Sequence, residues 1–203
     1  VVSPDLELPR LRELLPASGR MKTRIKLDER QSQLIATDFP RPWKTRHTIS
    51  LNLSLWGQLT IPQRDMLFLR QVCWLTSVNL LKPDWYRGLV VLGALGTLLQ
   101  LLQQDVVGVV AAGGLTAVAG TQVWRQVRGS RAEVTADETT LQVAQRRGYS
   151  ETEAAQALLQ AIEAGPRLEG RPSLTFTELL RCQHLRSLIG ASPVPVPEQA
   201  YDG

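Results

Sequence analysis

Two long apolar runs, Gly88–Leu102 and Val106–Val123, contain no charged residue and are separated only by Gln103, Gln104 and Asp105. A helix rises about 1.5 Å per residue and a bilayer core is about 30 Å thick, so the second run is long enough to span and the first lies at the short limit. Excluding charge over such a stretch makes lipid its natural solvent. The pattern predicts a transmembrane helical hairpin over residues 87–124, the alternative being a buried helical hairpin in a core. Lys82 and Arg87 precede it, Arg125, Arg128 and Arg131 follow it, and its turn has no basic residue. That asymmetry predicts an integral membrane protein with its polar part on the cytoplasmic face. Gly93 with Thr97 and Gly108 with Ala112 are small pairs four apart, which predicts close helix contact and marks them as candidate partner-binding positions.

With 203 residues, the chain suits one domain interrupted by that hairpin. Residues 1–86 form the expected first half of a cytoplasmic domain, 125–191 the second half, and 192–203 a proline-rich tail. The net charge of +4 carries much of its excess as arginine near the hairpin, which favours lipid headgroups over nucleic acid as the electrostatic partner. Cys73 and Cys182 are the only cysteines and His47 and His184 the only histidines. They give no disulfide framework and no metal-ligand spacing, so neither metal nor cofactor is expected. No basic-then-apolar presequence opens the chain, and Val1 is compatible with a processed or trimmed end.

Around the hairpin the patterning is mainly helical. Ser3 and Pro4 predict a helix start, with Leu8, Leu11, Leu14 and Leu15 on one face. Thr23–Leu27, Gln33–Thr37 and Thr48–Leu53 alternate as short strands of a small antiparallel sheet, the first two flanking a turn at Asp28, Glu29 and Arg30. Phe39 and Trp43, in a proline-broken loop, are further candidate partner contacts. A buried central helix is expected from about Pro62 to Leu81, stopped by Pro83. After the hairpin, Arg131–Gln145 reads as a helix. Ser150 with Glu153 and Thr175 with Glu178 predict capping boxes for two more, the first stopping at Gly165 and Pro166.

This order of parts resembles the membrane zinc metalloproteases related to the CAAX prenyl endopeptidase and to bacterial heat-shock membrane proteases. In those proteins a strand and a short lead-in precede a helix bearing H-E-x-x-H, membrane helices follow, and a later helix supplies the third zinc ligand. The stretch from Ile49 to Asp65 resembles the lead-in, and Ser130-Arg-Ala-Glu-Val-Thr-Ala-Asp137 is similar to the opening of the later helix. The resemblance puts H-E-x-x-H on Arg70-Gln71-Val72-Cys73-Trp74, with Glu133 as the third ligand and Asp137 as its supporting residue. Zinc needs two unprotonated imidazoles on one helix face and a carboxylate to activate water. Arg70 cannot lose its proton, Gln71 cannot act as a base and Trp74 offers only a donor. A carboxylate kept in such a frame needs a cation, which predicts an ion pair between Arg70 and Glu133, with Trp74 covering the guanidinium.

The chain also resembles a cyanobacterial integral membrane protein family through Leu11–Met21, Arg64–Leu69 and Phe176–Cys182. That resemblance implies a thylakoid or plasma membrane and supplies no activity. Together these readings predict an α+β, mainly helical chain: a small antiparallel sheet and a helical domain of metalloprotease-like fold with an inserted transmembrane hairpin. The expected function is a non-catalytic scaffold or assembly and turnover factor for a membrane protein complex, a photosynthetic one being the candidate. The competing expectations are a hydrolase with an unconventional site around Glu133, Asp137 and Cys73, and a lipid- or pigment-binding anchor bordered by Trp43, Trp85 and Trp124.

Overall fold

The computed structural model describes residues 2–37, 46–77, 85–103, 110, 113–114, 116–118, 121 and 130–190. They fall into two compact units, one made of Val1–Val78 with Ser130–Gly203 and the other of Asn79–Gly129. Phe39, Trp43, Gly108, Ala112, Trp124, the expected stop at Pro83 and the proline-rich tail lie outside the described residues.

The first unit begins with helix α1 (Pro4–Leu14), in which Pro4 takes the first helical position where its missing N–H costs nothing. Leu11 and Leu15 are buried, which fixes the face that α1 turns to the core. A short α2 (Ala17–Lys22) leads into β1 (Thr23–Leu27). β2 (Ile35–Thr37) and β3 (His47–Leu51) complete a three-stranded sheet of order β1-β3-β2.

The sheet is mixed, which corrects the expected antiparallel arrangement. β1 runs parallel to β3, with Ile25 opposite Ile49, and only β2 is antiparallel to it, with Ile35 opposite Leu51. Asp28 to Arg30 therefore do not close a hairpin. Parallel neighbours need a long crossover, and the chain between β1 and β3 supplies one that also carries β2 to the far edge. β3 ends at Asn52 because its side chain caps the next helix, α3 (Leu53–Trp56), accepting from the N–H groups of Ser54 and Leu55 while donating to the Glu29 and Gln31 carbonyls.

The expected central helix is α4 (Ile61–Ser77). Its apolar residues point two ways. Phe68, Val72 and Leu75, at helical spacing, join Leu11, Ile49, Leu51 and Trp56 on the sheet side. Met66 and Leu69 face a second cluster built on α6 (Ser130–Gln145), α7 (Glu151–Glu169) and α8 (Phe176–Leu188). Both predicted capping boxes are formed, at Ser150 with Glu153 and at Thr175 with Glu178. Pro166 does not stop α7 as expected. It sits buried in the last turn, where its missing N–H costs one intrahelical bond and too few residues follow to kink the helix, which closes on Gly170 at φ +69°.

In the second unit α5 (Trp85–Leu102) is the one continuous described helix. Among the described residues no helix is long and apolar enough to cross a membrane. This overturns the expected transmembrane hairpin. α5 opens on Trp85, Tyr86 and Arg87, so its apolar part starts at Gly88 and extends roughly 22 Å, short of a bilayer core of about 30 Å. The second arm lies largely outside the described residues. Leu92, Leu95, Leu98, Leu99 and Leu102 are nevertheless exposed along α5. The Thr97 hydroxyl is turned back onto its own helix, donating to the Gly93 carbonyl at 2.7 Å, so this pair is spent within α5.

Candidate functional site

Arg70 lies on the side of α4 that carries Met66 one turn before it and Cys73 after it, and this side packs on α6. On α6, Glu133 and Asp137 are four apart and share a face with Thr140 and Ala144. The two helices bring Arg70 and Glu133 into an ion pair, and Arg70 Nε lies 3.5 Å from Asp137 Oδ1. A third helix completes the group. Arg181 on α8 donates from Nε to Asp137 Oδ2 at 2.7 Å and from Nη2 to Asp137 Oδ1 at 2.9 Å.

Two guanidiniums and two carboxylates thus form a neutral buried cluster, with Asp137 fully buried, Arg70 and Arg181 nearly so and Glu133 at the edge. Burial and the neighbouring Arg181 charge push the Arg70 guanidinium down, to about 9, while Asp137 opposes the shift. Arg70 still carries its charge at neutral pH, and each charge has a counterpart, the condition for tolerating ions in a core. Cys73, also on this side of α4, is held as a thiol by burial, with Thr140 and Arg70 partly offsetting the effect.

Gln71 ties this cluster to the sheet. It accepts from Arg70 Nη1 at 3.1 Å and donates to the Thr37 hydroxyl on β2 at 2.6 Å. β2 is an edge strand. Because the Asn52 N–H donates to the Leu34 carbonyl, Ile35 and Leu51 form a non-hydrogen-bonded pair. The N–H and C=O of Ile35, and of Thr37 two residues on, therefore point away from β3. They border a groove of about 490 Å³ that is also lined by Gln71, Trp74, Glu133 and Arg181. Its far wall is the end of α7 and the start of α8, where Arg171 grips Glu178 through two hydrogen bonds, at 2.9 and 2.7 Å, and Glu169 through a third. Glu169 in turn accepts from the Leu34 N–H at 2.8 Å, fastening this wall to the strand.

The structure gathers Arg70, Gln71, Trp74, Glu133 and Asp137 around one region. It does not place zinc chemistry there. The two guanidiniums cannot ligate a cation, the Gln71 carboxamide oxygen accepts from Arg70, and both carboxylates are engaged by arginine. Among the described residues no group of three His, Cys, Asp or Glu side chains is placed to hold a metal ion. His184 instead lies 3.3 Å from Glu138, and His47 sits within β3.

A second buried polar network joins α1, α3 and α4. Glu7 accepts from Trp56 Nε1 at 2.9 Å and from Arg10 Nη2 at 2.6 Å, with Arg64 at 3.6 Å. Arg10 also pairs with Asp65, whose other oxygen accepts from the Tyr149 hydroxyl at 2.7 Å. Neither Arg181 nor this network was marked in the sequence. Glu7 and Arg10 carried a weak signal, an opposite-charge pair three apart on a leucine-bearing helix.

Residues 9–149 match the family described as "Protein of unknown function (DUF3318)". The chain belongs to this DUF3318 family. A relative of the DUF3318 chain, the protein named "Thylakoid membrane protein slr1949" from Synechocystis sp., is 29% identical over 105 residues, which is half of each chain. This supports the cyanobacterial side of the sequence reading; neither the family nor the relative is described as a metalloprotease. The chain spans about half the length of the curated relative it matches. No solved structure matches the DUF3318 chain.

Proposed function

We propose that this DUF3318 protein is a membrane-associated, non-catalytic scaffold that holds an extended segment of a membrane protein complex, a photosynthetic complex in assembly or turnover being the candidate. The observation that carries this reading is the edge of β2. Ile35 and Thr37 turn their backbone donors and acceptors into a groove large enough for several side chains, and an added strand would complete the sheet. The other walls supply no nucleophile with a base and no open metal position, because the carboxylates that border the groove are held by Arg70, Arg171 and Arg181. Binding is the chemistry this arrangement can perform. Membrane association is supported by the printed name of the Synechocystis relative and by the exposed leucines of α5, which need a cover other than water.

A photo-reactive amino acid at Gln33, exposed on the groove's rim, tests this in native membranes. The expected outcome is one membrane-protein adduct that disappears when Ile35→Pro removes the outward N–H. An unchanged adduct in that variant, or a protein that always purifies alone from gently solubilised membranes, overturns the proposal. Stoichiometric zinc in protein purified without chelator would instead favour a hydrolase around Glu133.

A further inference from the structure

Between Leu11 and Leu27 the chain carries Arg12, Arg20, Lys22, Arg24 and Lys26 against the single carboxylate Glu13. That local excess of four equals the net charge of the whole chain, so the remainder is balanced. The fold concentrates these residues. β1 alternates, turning Ile25 and Leu27 inward and Arg24 and Lys26 out to solvent, while Arg12, Arg20 and Lys22 are exposed at the neighbouring helix ends. Arg12, Arg20 and Arg24 border a shallow concavity of about 520 Å³, with Glu13, Leu15, Thr23 and Ile25 making up the rest of its lining.

Arg20 is held in place by donating to the Leu15 and Glu13 carbonyls, at 3.3 and 3.4 Å, which leaves its charge uncompensated by any acid. Lys26 is paired with Asp28, but among the described residues Arg12, Arg20, Lys22 and Arg24 form no ion pair. Elsewhere in this unit Arg70, Arg171, Arg181 and Arg186 are each matched to a carboxylate. Met21 stands between Arg20 and Lys22 with 78% of its surface exposed. Unmatched cations around an exposed, flexible apolar side chain suit a surface with a negative potential and a soft apolar interior.

We infer that this patch, centred on Arg12, Arg20, Lys22 and Arg24, docks the first unit onto the anionic headgroups of a bilayer, with Met21 entering the acyl boundary. The inference rests on the membrane association proposed above and names the surface responsible. It also gives the first unit its own membrane contact, independent of α5. Each basic residue near an anionic surface adds attraction that falls off within a Debye length, so binding is steeply salt-dependent.

Flotation of the full chain with vesicles of phosphatidylcholine alone, or mixed with phosphatidylglycerol, tests the assignment. Combining Arg12→Gln, Lys22→Gln and Arg24→Gln is expected to weaken partitioning to the anionic vesicles about a hundredfold at low salt, leaving neutral-vesicle partitioning unchanged. A control with Arg30→Gln, Arg146→Gln and Arg167→Gln removes as much charge from other exposed positions and is expected to retain binding. Equal losses in both variants, or no loss in the first, overturn the inference while leaving membrane association standing. Retained vesicle binding with lost capture of a membrane protein reassigns the patch to that protein. A wild-type chain that floats with neither vesicle removes the membrane association on which the inference depends.

Discussion

Asp137 and Arg181, 44 positions apart in the chain, meet through two hydrogen bonds in a place where the carboxylate has no solvent exposure. Arg70 approaches the same carboxylate from the opposing helix and pairs with Glu133. Three helices are thus fastened at one point by charge where the resemblance would put a metal ion.

Asp137→Asn leaves one net positive charge too many in this cluster and is expected to lower unfolding free energy by about 3–5 kcal/mol. Glu133→Gln, at the solvent edge, is expected to cost no more than about 1 kcal/mol. Denaturant unfolding of both variants checks the contrast; equal costs would mean that Asp137 is not the organising counter-ion.

Acid sensitivity should trace to Glu7. Its burial opposes ionisation, but hydrogen bonds from Arg10 and Trp56, with the charges of Arg10 and Arg64, outweigh burial and hold its carboxyl below the usual range. A depressed folded-state value contributes stability above the unfolded carboxylate range, near pH 4.3, that disappears as pH falls through the folded value. Glu7→Gln is therefore expected to be destabilising at pH 7, with the gap to wild type closing below about pH 4. Unfolding curves at several pH values measure that gap.

At the alkaline end the relevant group is Tyr149. Burial, with the hydrogen bond to Asp65 and its charge, pushes the phenol up to about 12. A raised folded-state value gives stability that is complete below the unfolded value, near pH 10, and is lost as pH rises through the folded one. Tyr149→Phe should remove this pH dependence between about 10 and 12 and cost roughly 1–2 kcal/mol at neutral pH by leaving a buried Asp65 oxygen short of a donor. The ultraviolet titration of tyrosine and unfolding at matched pH check both parts.

Ile35→Pro should leave the fold intact, because the N–H it removes faces away from β3 and edge strands tolerate proline at such positions. Expected stability is within about 1 kcal/mol of wild type, while capture of a partner segment through the groove falls at least about tenfold. Circular dichroism and crosslinking yield from Gln33 report the two effects separately.

The parts of this fold legible in the sequence are those set by local chemistry. Ser150 with Glu153 and Thr175 with Glu178 announce their caps within four residues, and the two apolar faces of α4 announce a central helix. Arg181 was illegible because nothing near it signals a partner on α6, and long-range charge pairing has no period. Alternation revealed β1 and β3 as strands but carries no information on which neighbours pair or in which direction. The first apolar run misled for a different reason: hydropathy measures the solvent a segment tolerates, whereas spanning also needs length, and Arg87 shortens the apolar part of α5 at one end.

The order in which the chain is made has a consequence for the cluster at Asp137. Arg70 leaves the ribosome well before Glu133 and Arg181, and at about 5–20 residues per second that interval is on the order of ten seconds. Throughout it α4 holds a guanidinium whose counter-ions do not yet exist, so the apolar side that includes Met66 and Leu69 cannot close around it. The whole of α5 emerges in that window. Completion of the first unit is therefore timed by its last described helix, α8, and truncation before Arg181 should yield a protein that fails as a unit rather than one missing only its end.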